Sequence, residues 1–315
     1  MLGHFLLLLE KLSPLFLFLV AGFIAARFLK VTRESIAKLL IYVISPIVFF
    51  ETLIRSPFNP KLIVLPFFYA SICSILGIAT YKLSKKFFRS PMRNLFSYAA
   101  GSANTGYFGI PATAILLGEE RISTAIFIII GYNLYEYTTG FYLAARGSFD
   151  TRESLKKIAS LPSLWTFLFS LVVSAMGFHH IPPSIEPILT SFRGAYSCLG
   201  LMMIGLGLGS IRTLRLHYKF ISCTLLIKLL AFPALVVSVI FLDHATIQFL
   251  DYSLVEILLL MSLVPLAANG VSIATELKLP TDEMAFTITL STAIALLWIP
   301  LSWATWVPWV LNSVR

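Results

Sequence analysis

The chain has 315 residues, 58% of them hydrophobic and 12% charged, with a mean hydropathy of +0.87 and a formal charge of +9. Soluble domains carry about 25% charged residues. A globular interior could not hide this much apolar surface, so the composition excludes an ordinary soluble domain and points to an all-α polytopic membrane protein. The basic excess sits in short connectors between apolar stretches, the mark of membrane topology and not of a phosphate-binding face. A nucleic-acid partner is excluded on that ground.

Ten spans can be drawn, at 5–27, 35–54, 62–81, 92–117, 122–145, 161–178, 187–210, 218–241, 253–276 and 283–303. Each is near the roughly 20 residues that a hydrocarbon core requires. The odd-numbered connectors hold Arg27, Lys30 and Arg33; Lys82, Lys85, Lys86, Arg89 and Arg93; Arg146, Arg152, Lys156 and Lys157; Arg212, Arg215 and Lys219; and Lys278. The even-numbered ones and the C-terminal tail hold only Arg55, Lys61, Arg121 and Arg315. The positive-inside bias then places the odd connectors in the cytoplasm and both termini outside the cell membrane, with Trp303, Trp306 and Trp309 at the outer interface. Glu51, in the second span, and Glu256, at the start of the ninth, fall near the outer surface and are expected at solvated interface positions.

The fourth span contains the most informative run, Asn104-Thr105-Gly106-Tyr107-Phe108-Gly109-Ile110-Pro111. A lipid-facing helix cannot be broken this way, because hydrocarbon offers nothing to the freed N–H and C=O groups. Such irregularity survives where it is buried in protein or lines a cavity, which is where carriers hold cargo. The ninth span contains a counterpart, Pro265-Leu266-Ala267-Ala268-Asn269-Gly270. Pro also occurs at Pro46, Pro66 and Pro233, but only these two runs combine Pro, Gly and Asn. Five spans is an odd number, so a second half of similar fold must be inverted. The expectation is two inverted repeats of five, 1–146 and 161–315, joined by a cytoplasmic connector at 147–160, with broken crossover helices 4 and 9.

At each break the following half-helix turns its N–H groups and positive dipole end toward the gap, which favours an anion. Asn104, Thr105, Gly106 and Tyr107 on one side, and Asn269 and Gly270 on the other, are candidate substrate contacts. Each Asn could equally cap its own half-helix. In the fifth span Asn133 and Glu136 lie three residues apart on one face, among Tyr132, Tyr135 and Tyr137. A carboxylate this deep must face a cavity, pair or carry a proton, so Glu136 is the candidate for H+ or Na+ coupling, against a purely structural hydrogen bond. Lys228, mid-span in the eighth helix, is the cation placed to attract an organic anion or to pair with a carboxylate; Arg193 lies nearer an end. The three cysteines lack metal-ligand spacing, and no cofactor is expected. Nucleophile, metalloprotease and nucleotide-loop signatures are absent, so the chain is expected not to be an enzyme.

The run Asn104 to Pro111 with Leu117-Gly118-Glu119, the stretch Gly131-Tyr132-Asn133-Leu134-Tyr135, and Pro265 through Ile273-Ala274 with Thr289-Leu290-Ser291-Thr292 resemble the auxin efflux carrier family across essentially the whole chain. That family includes plant auxin exporters and bacterial carriers of malonate and other organic acids. The resemblance implies a scaffold of helices 1, 2, 6 and 7, often dimerising, and a moving transport domain of helices 3–5 and 8–10. It makes Pro111 and Pro265 the crossover and sets Asn104 and Asn133 against substrate. The short middle connector departs from the long loop of many plant exporters and is similar to the bacterial type. The expected function is secondary transport of a small organic anion by elevator-type alternating access. The alternatives are a sodium-coupled bile-acid-type symporter and a membrane ligand sensor that moves nothing.

Overall fold

The computed structural model describes residues 2–55, 59–145, 160, 162–209, 211 and 217–314. Nearly all of the connector drawn at 147–160, together with Arg146, Arg212, Arg215 and Arg315, lies outside the described residues. Among those described there is no strand. The helices are α1 (Leu2–Leu12), α2 (Leu15–Leu29), α3 (Arg33–Arg55), α4 (Lys61–Lys86), α5 (Met92–Ala100), α6 (Gly109–Leu116) and α7 (Ile122–Tyr135). They continue with α8 (Pro162–Ala175), α9 (Glu186–Gly209), α10 (Tyr218–Ala245), α11 (Tyr252–Leu263), α12 (Gly270–Glu276), α13 (Thr281–Ala304) and α14 (Val307–Ser313).

Five of these are long and apolar enough to cross a membrane: α3, α4, α9 with its leading turn, α10 and α13. The pair α1 and α2 makes a sixth when counted together, bent by 40° at Ser13-Pro14, where proline removes a helical donor and crowds the preceding turn. The fourth and ninth sequence spans each resolve into two short helices, α5 with α6 and α11 with α12, with the chain irregular between them. The fifth runs on from α7 through a widened π-turn at Glu136–Gly140 into a last turn, Phe141–Ala145. Its Asn133, Glu136, Thr138 and Thr139 make it too polar to be read as a span by hydropathy alone.

The side-chain distribution fits a lipid surround. Leu17, Phe28, Phe67, Trp165, Val172 and Leu242 all point out of the protein, where water would penalise them and acyl chains would not. Helices α7 and α11 are instead buried on nearly every side, as all-round apolar helices must be. The most extensive helix pairing joins α2 to α9. There Gly22 and Gly205 let the two backbones touch, since a Cβ at Gly205 would collide with the Leu19 carbonyl and one at Gly22 with the Met202 carbonyl. In lipid, such small residues substitute for the missing hydrophobic drive by allowing close van der Waals packing. Of the three tryptophans expected at the interface, Trp309 faces outward while Trp303 packs inside.

Candidate binding site

The two irregular stretches, 101–108 and 264–269, face each other in the interior and satisfy one another's backbone. The Asn104 N–H donates to the Pro265 carbonyl at 2.8 Å, and the Ala267 N–H donates to Ser102 Oγ at 3.0 Å. Helix α13 contributes Ser291, whose Oγ accepts from the Leu266 N–H at 3.1 Å. Val264 is extended because a proline follows it. Pro111 sits in the first turn of α6, where a missing N–H costs little.

Helix ends at the breaks are less open than expected. Asn104 Oδ1 accepts from the Phe108 N–H at 3.4 Å, and the Asn104 and Gly106 carbonyls accept from Gly109 and Ile110 at 3.0 Å each. On the second side the Gly270 N–H is taken by the Ala267 carbonyl at 3.2 Å. The chain thus takes up several of its own main-chain groups at the breaks, and side-chain donors are left over as well. Asn104 Nδ2 and Thr105 Oγ1 are both buried and without a hydrogen-bond partner. Asn104 therefore caps with one end of its amide and offers the other.

Both residues line a cavity of ≈ 60 Å³. Its wall is built from Ala103 to Tyr107 of the first break, Ala267 to Asn269 of the second, and Ile129, Tyr132, Asn133 and Tyr137 of α7 and its π-turn. Ile41, Ser45 and Phe49 of α3 and Tyr196 of α9 close the remaining side. The Tyr107 and Tyr196 rings meet at 5.3 Å between centroids. Gly106 lies beneath them: a Cβ there would stand 2.5 Å from Tyr196 Oη, so the Tyr196 side chain would have to shift. A water needs roughly 10–15 Å³ of such space, so the cavity has room for a small solute.

Of the expected contacts, Asn104, Thr105, Gly106, Tyr107, Asn133 and Asn269 come together in this wall. Pro111, Pro265, Gly270 and Lys228 do not line it. Pro265 acts through its carbonyl, and Gly270 packs against Met284 in the second half. Lys228 is buried in α10 with Nζ 4.1 Å from the centre of the Phe232 ring and no hydrogen-bond partner.

Glu136 is fully buried just behind the wall. Its Oε1 accepts from Tyr98 Oη at 2.9 Å and Tyr132 Oη at 2.8 Å, and its Oε2 accepts from Asn269 Nδ2 at 3.3 Å. Tyr132 Oη lies 3.4 Å from Ser102 Oγ, the acceptor for Ala267. With its own proton given to Glu136, Tyr132 accepts from Ser102. One carboxylate is thereby wired to the first break through Tyr132 and Ser102 and to the second through Asn269. The π-turn that begins at Glu136 is the kind of local helix irregularity that recurs at functional positions.

Several neighbours were not legible as site residues. Ser45, Phe49 and Tyr196 lie far from the motifs in sequence, and nothing local marks them. Arg33, counted above only as a topology signal, reaches inward and donates from Nη2 to the Ala268 carbonyl at 2.9 Å. Glu51 was expected at a solvated interface and is only 2% exposed. Arg55 Nε lies 2.7 Å from its Oε1 and Arg193 Nε 3.7 Å from its Oε2. Arg193 also bonds Glu119 at 2.7 Å, and Arg55 pairs with Glu186. The reason is tertiary: α3, α9 and the turn after α6 converge there and close over the carboxylate. A second cavity, ≈ 380 Å³, opens among these charges.

No protein-family model matches the chain. It is similar to an uncharacterized transporter of Methanocaldococcus jannaschii, 29% identical over 190 residues, which cover 56% of this chain and 62% of that protein. An uncharacterized transporter of Methanothermobacter thermautotrophicus is 25% identical over 279 residues, 85% of this chain and 87% of the relative. The chain is therefore a helical membrane-type protein similar to archaeal proteins that bear the name of transporter.

Proposed function

We propose that the protein is a secondary carrier of small organic anions, in which the cavity between the two breaks is the substrate site. The observation that carries this reading is the pair of unpaired buried donors, Asn104 Nδ2 and Thr105 Oγ1, in a cavity wall made from both interruptions. Donors left over in a wall call for an acceptor-rich guest such as a carboxylate, since an unpaired buried donor costs about 1–3 kcal/mol. Asn133, Tyr107 and Asn269 complete the polar lining, and Phe49 and Tyr196 suit an apolar tail. The names of the two relatives agree with a transport role.

In this reading the chain is a carrier and not an enzyme, built as ten spans in two inverted repeats, 1–146 and 161–315, with both termini outside the cytoplasm. Spans 4 and 9 cross near Pro111 and Pro265. Spans 3–5 and 8–10 move as an elevator against a scaffold of spans 1, 2, 6 and 7, through which a homodimer would form. Glu136 is the coupling residue. Gain or loss of H+ or Na+ there changes how strongly it holds Tyr132 and Asn269, and so alters both breaks at once. The wall offers no charged side chain that cargo must displace.

A thermal-shift screen of organic acids on purified protein, followed by liposome flux of each hit with and without sodium and a pH gradient, tests the whole reading. A stabilising acid that is also moved supports it. Sodium dependence that Glu136→Gln leaves intact would move the assignment to a bile-acid-type symporter, and binding without flux would make the protein a ligand sensor.

A further inference from the structure

The wall of the central cavity contains no Lys, Arg or His side chain. The carboxylate nearest to it, Glu136, is hydrogen-bonded to two wall residues, Tyr132 and Asn269. By itself that arrangement would repel a second negative charge, because Coulomb interactions are strong at the low effective dielectric of a protein interior. A carrier of carboxylates needs a compensating cation, and Lys228 does not line the site.

We propose that Arg33 supplies that positive charge and makes the cavity selective for a carboxylate over an uncharged solute of the same shape. The inference rests on the organic-anion reading above and adds the residue that decides it. Arg33 begins α3, the helix whose Ile41, Ser45 and Phe49 form one side of the wall. Arg33 stands in the first turn of that helix. Its guanidinium bonds the carbonyl of Ala268, itself a wall residue, at 2.9 Å. A guanidinium has five N–H donors, and Nε of Arg33 is buried without a partner, so donor capacity remains. The cavity is thus set between one fixed cation and one carboxylate. The cation enters through a main-chain carbonyl, so it tightens the second break as well as charging it.

The test compares malonate with malonamide and phenylacetate with phenylacetamide as thermal-shift ligands on full-length protein, for wild type, R33Q and R33K. The expected result is that wild type prefers at least one carboxylate over its amide. R33Q should lose about tenfold or more in that carboxylate's affinity, the scale of one charge at close range, with weak amide binding unchanged. R33K, which keeps the charge and loses the planar fork, should keep the preference for the anion. Should R33Q not purify as a monodisperse protein, R33K decides alone, and loss of its carboxylate preference overturns the inference. Wild-type carboxylate affinity in R33Q, or equal binding of acids and amides by wild type, also overturns it. If wild type binds neither acid and liposomes show no organic-acid flux, the carrier reading itself fails.

Discussion

Glu51 and Glu136 are the two most deeply buried carboxylates among the described residues, and their partners differ in kind. Glu51 is held by Arg55 and Arg193, with Glu186 and Glu119 sharing the same arginines. Glu136 is held by two phenols and an amide. The first is a charge cancelled by charges, and its geometry joins α3 and α9 to the turn after α6. The second is held only by neutral donors, so loss of its charge would leave no arginine stranded. Pairing with arginines suits a structural joint; compensation by neutral donors suits a site that changes state. The exposure of the two residues is nearly the same, which shows that burial alone does not identify function. The chemistry of the partners does.

The sharpest way to break this contrast is at the neutral site. Asn104→Ala removes the unpaired donor and the Phe108 cap together. Substrate flux is expected to fall by about tenfold to a hundredfold, the size of a lost hydrogen bond to a charged group, while the protein remains monodisperse. Unchanged flux in liposomes would remove Asn104 from the site. Next in size, Glu136→Gln keeps the hydrogen-bond shape and deletes the charge. Uptake should lose its dependence on pH or sodium while counterflow of labelled substrate persists, and retained dependence would place coupling elsewhere.

At the charged joint the effect should appear in stability and not in coupling. Glu51→Gln leaves two arginines with one partner fewer. Because Arg55 and Arg193 are 38% and 26% exposed, the loss is expected near 1–3 kcal/mol, below that of a fully buried pair. A lower thermal midpoint with unaltered ion dependence of transport sharpens the comparison; altered ion dependence would erase it. The smallest effect belongs to Lys228→Met. It replaces a buried cation that has no hydrogen-bond partner with an apolar side chain of similar length, so stability should change by less than about 1 kcal/mol or rise. A large loss of substrate affinity would restore Lys228 to the site.

Local sequence was enough to find the breaks. Pro265 with Asn269-Gly270, and Asn104 with Gly106 and Pro111, interrupt helices for reasons that act within a few residues. Glu136 and Asn133 were also legible, because a carboxylate and an amide one turn apart in an apolar run need an explanation wherever the helix packs. Hydropathy likewise marks α3, α4, α10 and α13 without reference to any neighbour.

Tertiary structure alone decided who meets whom. The bond from Asn104 to Pro265, the convergence of Ser45, Phe49 and Tyr196 on the cavity, the burial of Glu51 and the inward reach of Arg33 all join residues far apart in the chain. The physical reason is one of range. Propensity, capping and apolar periodicity are settled between residues one or two turns apart. Cavity walls and ion clusters are settled by helix packing, which a linear pattern does not encode one residue at a time.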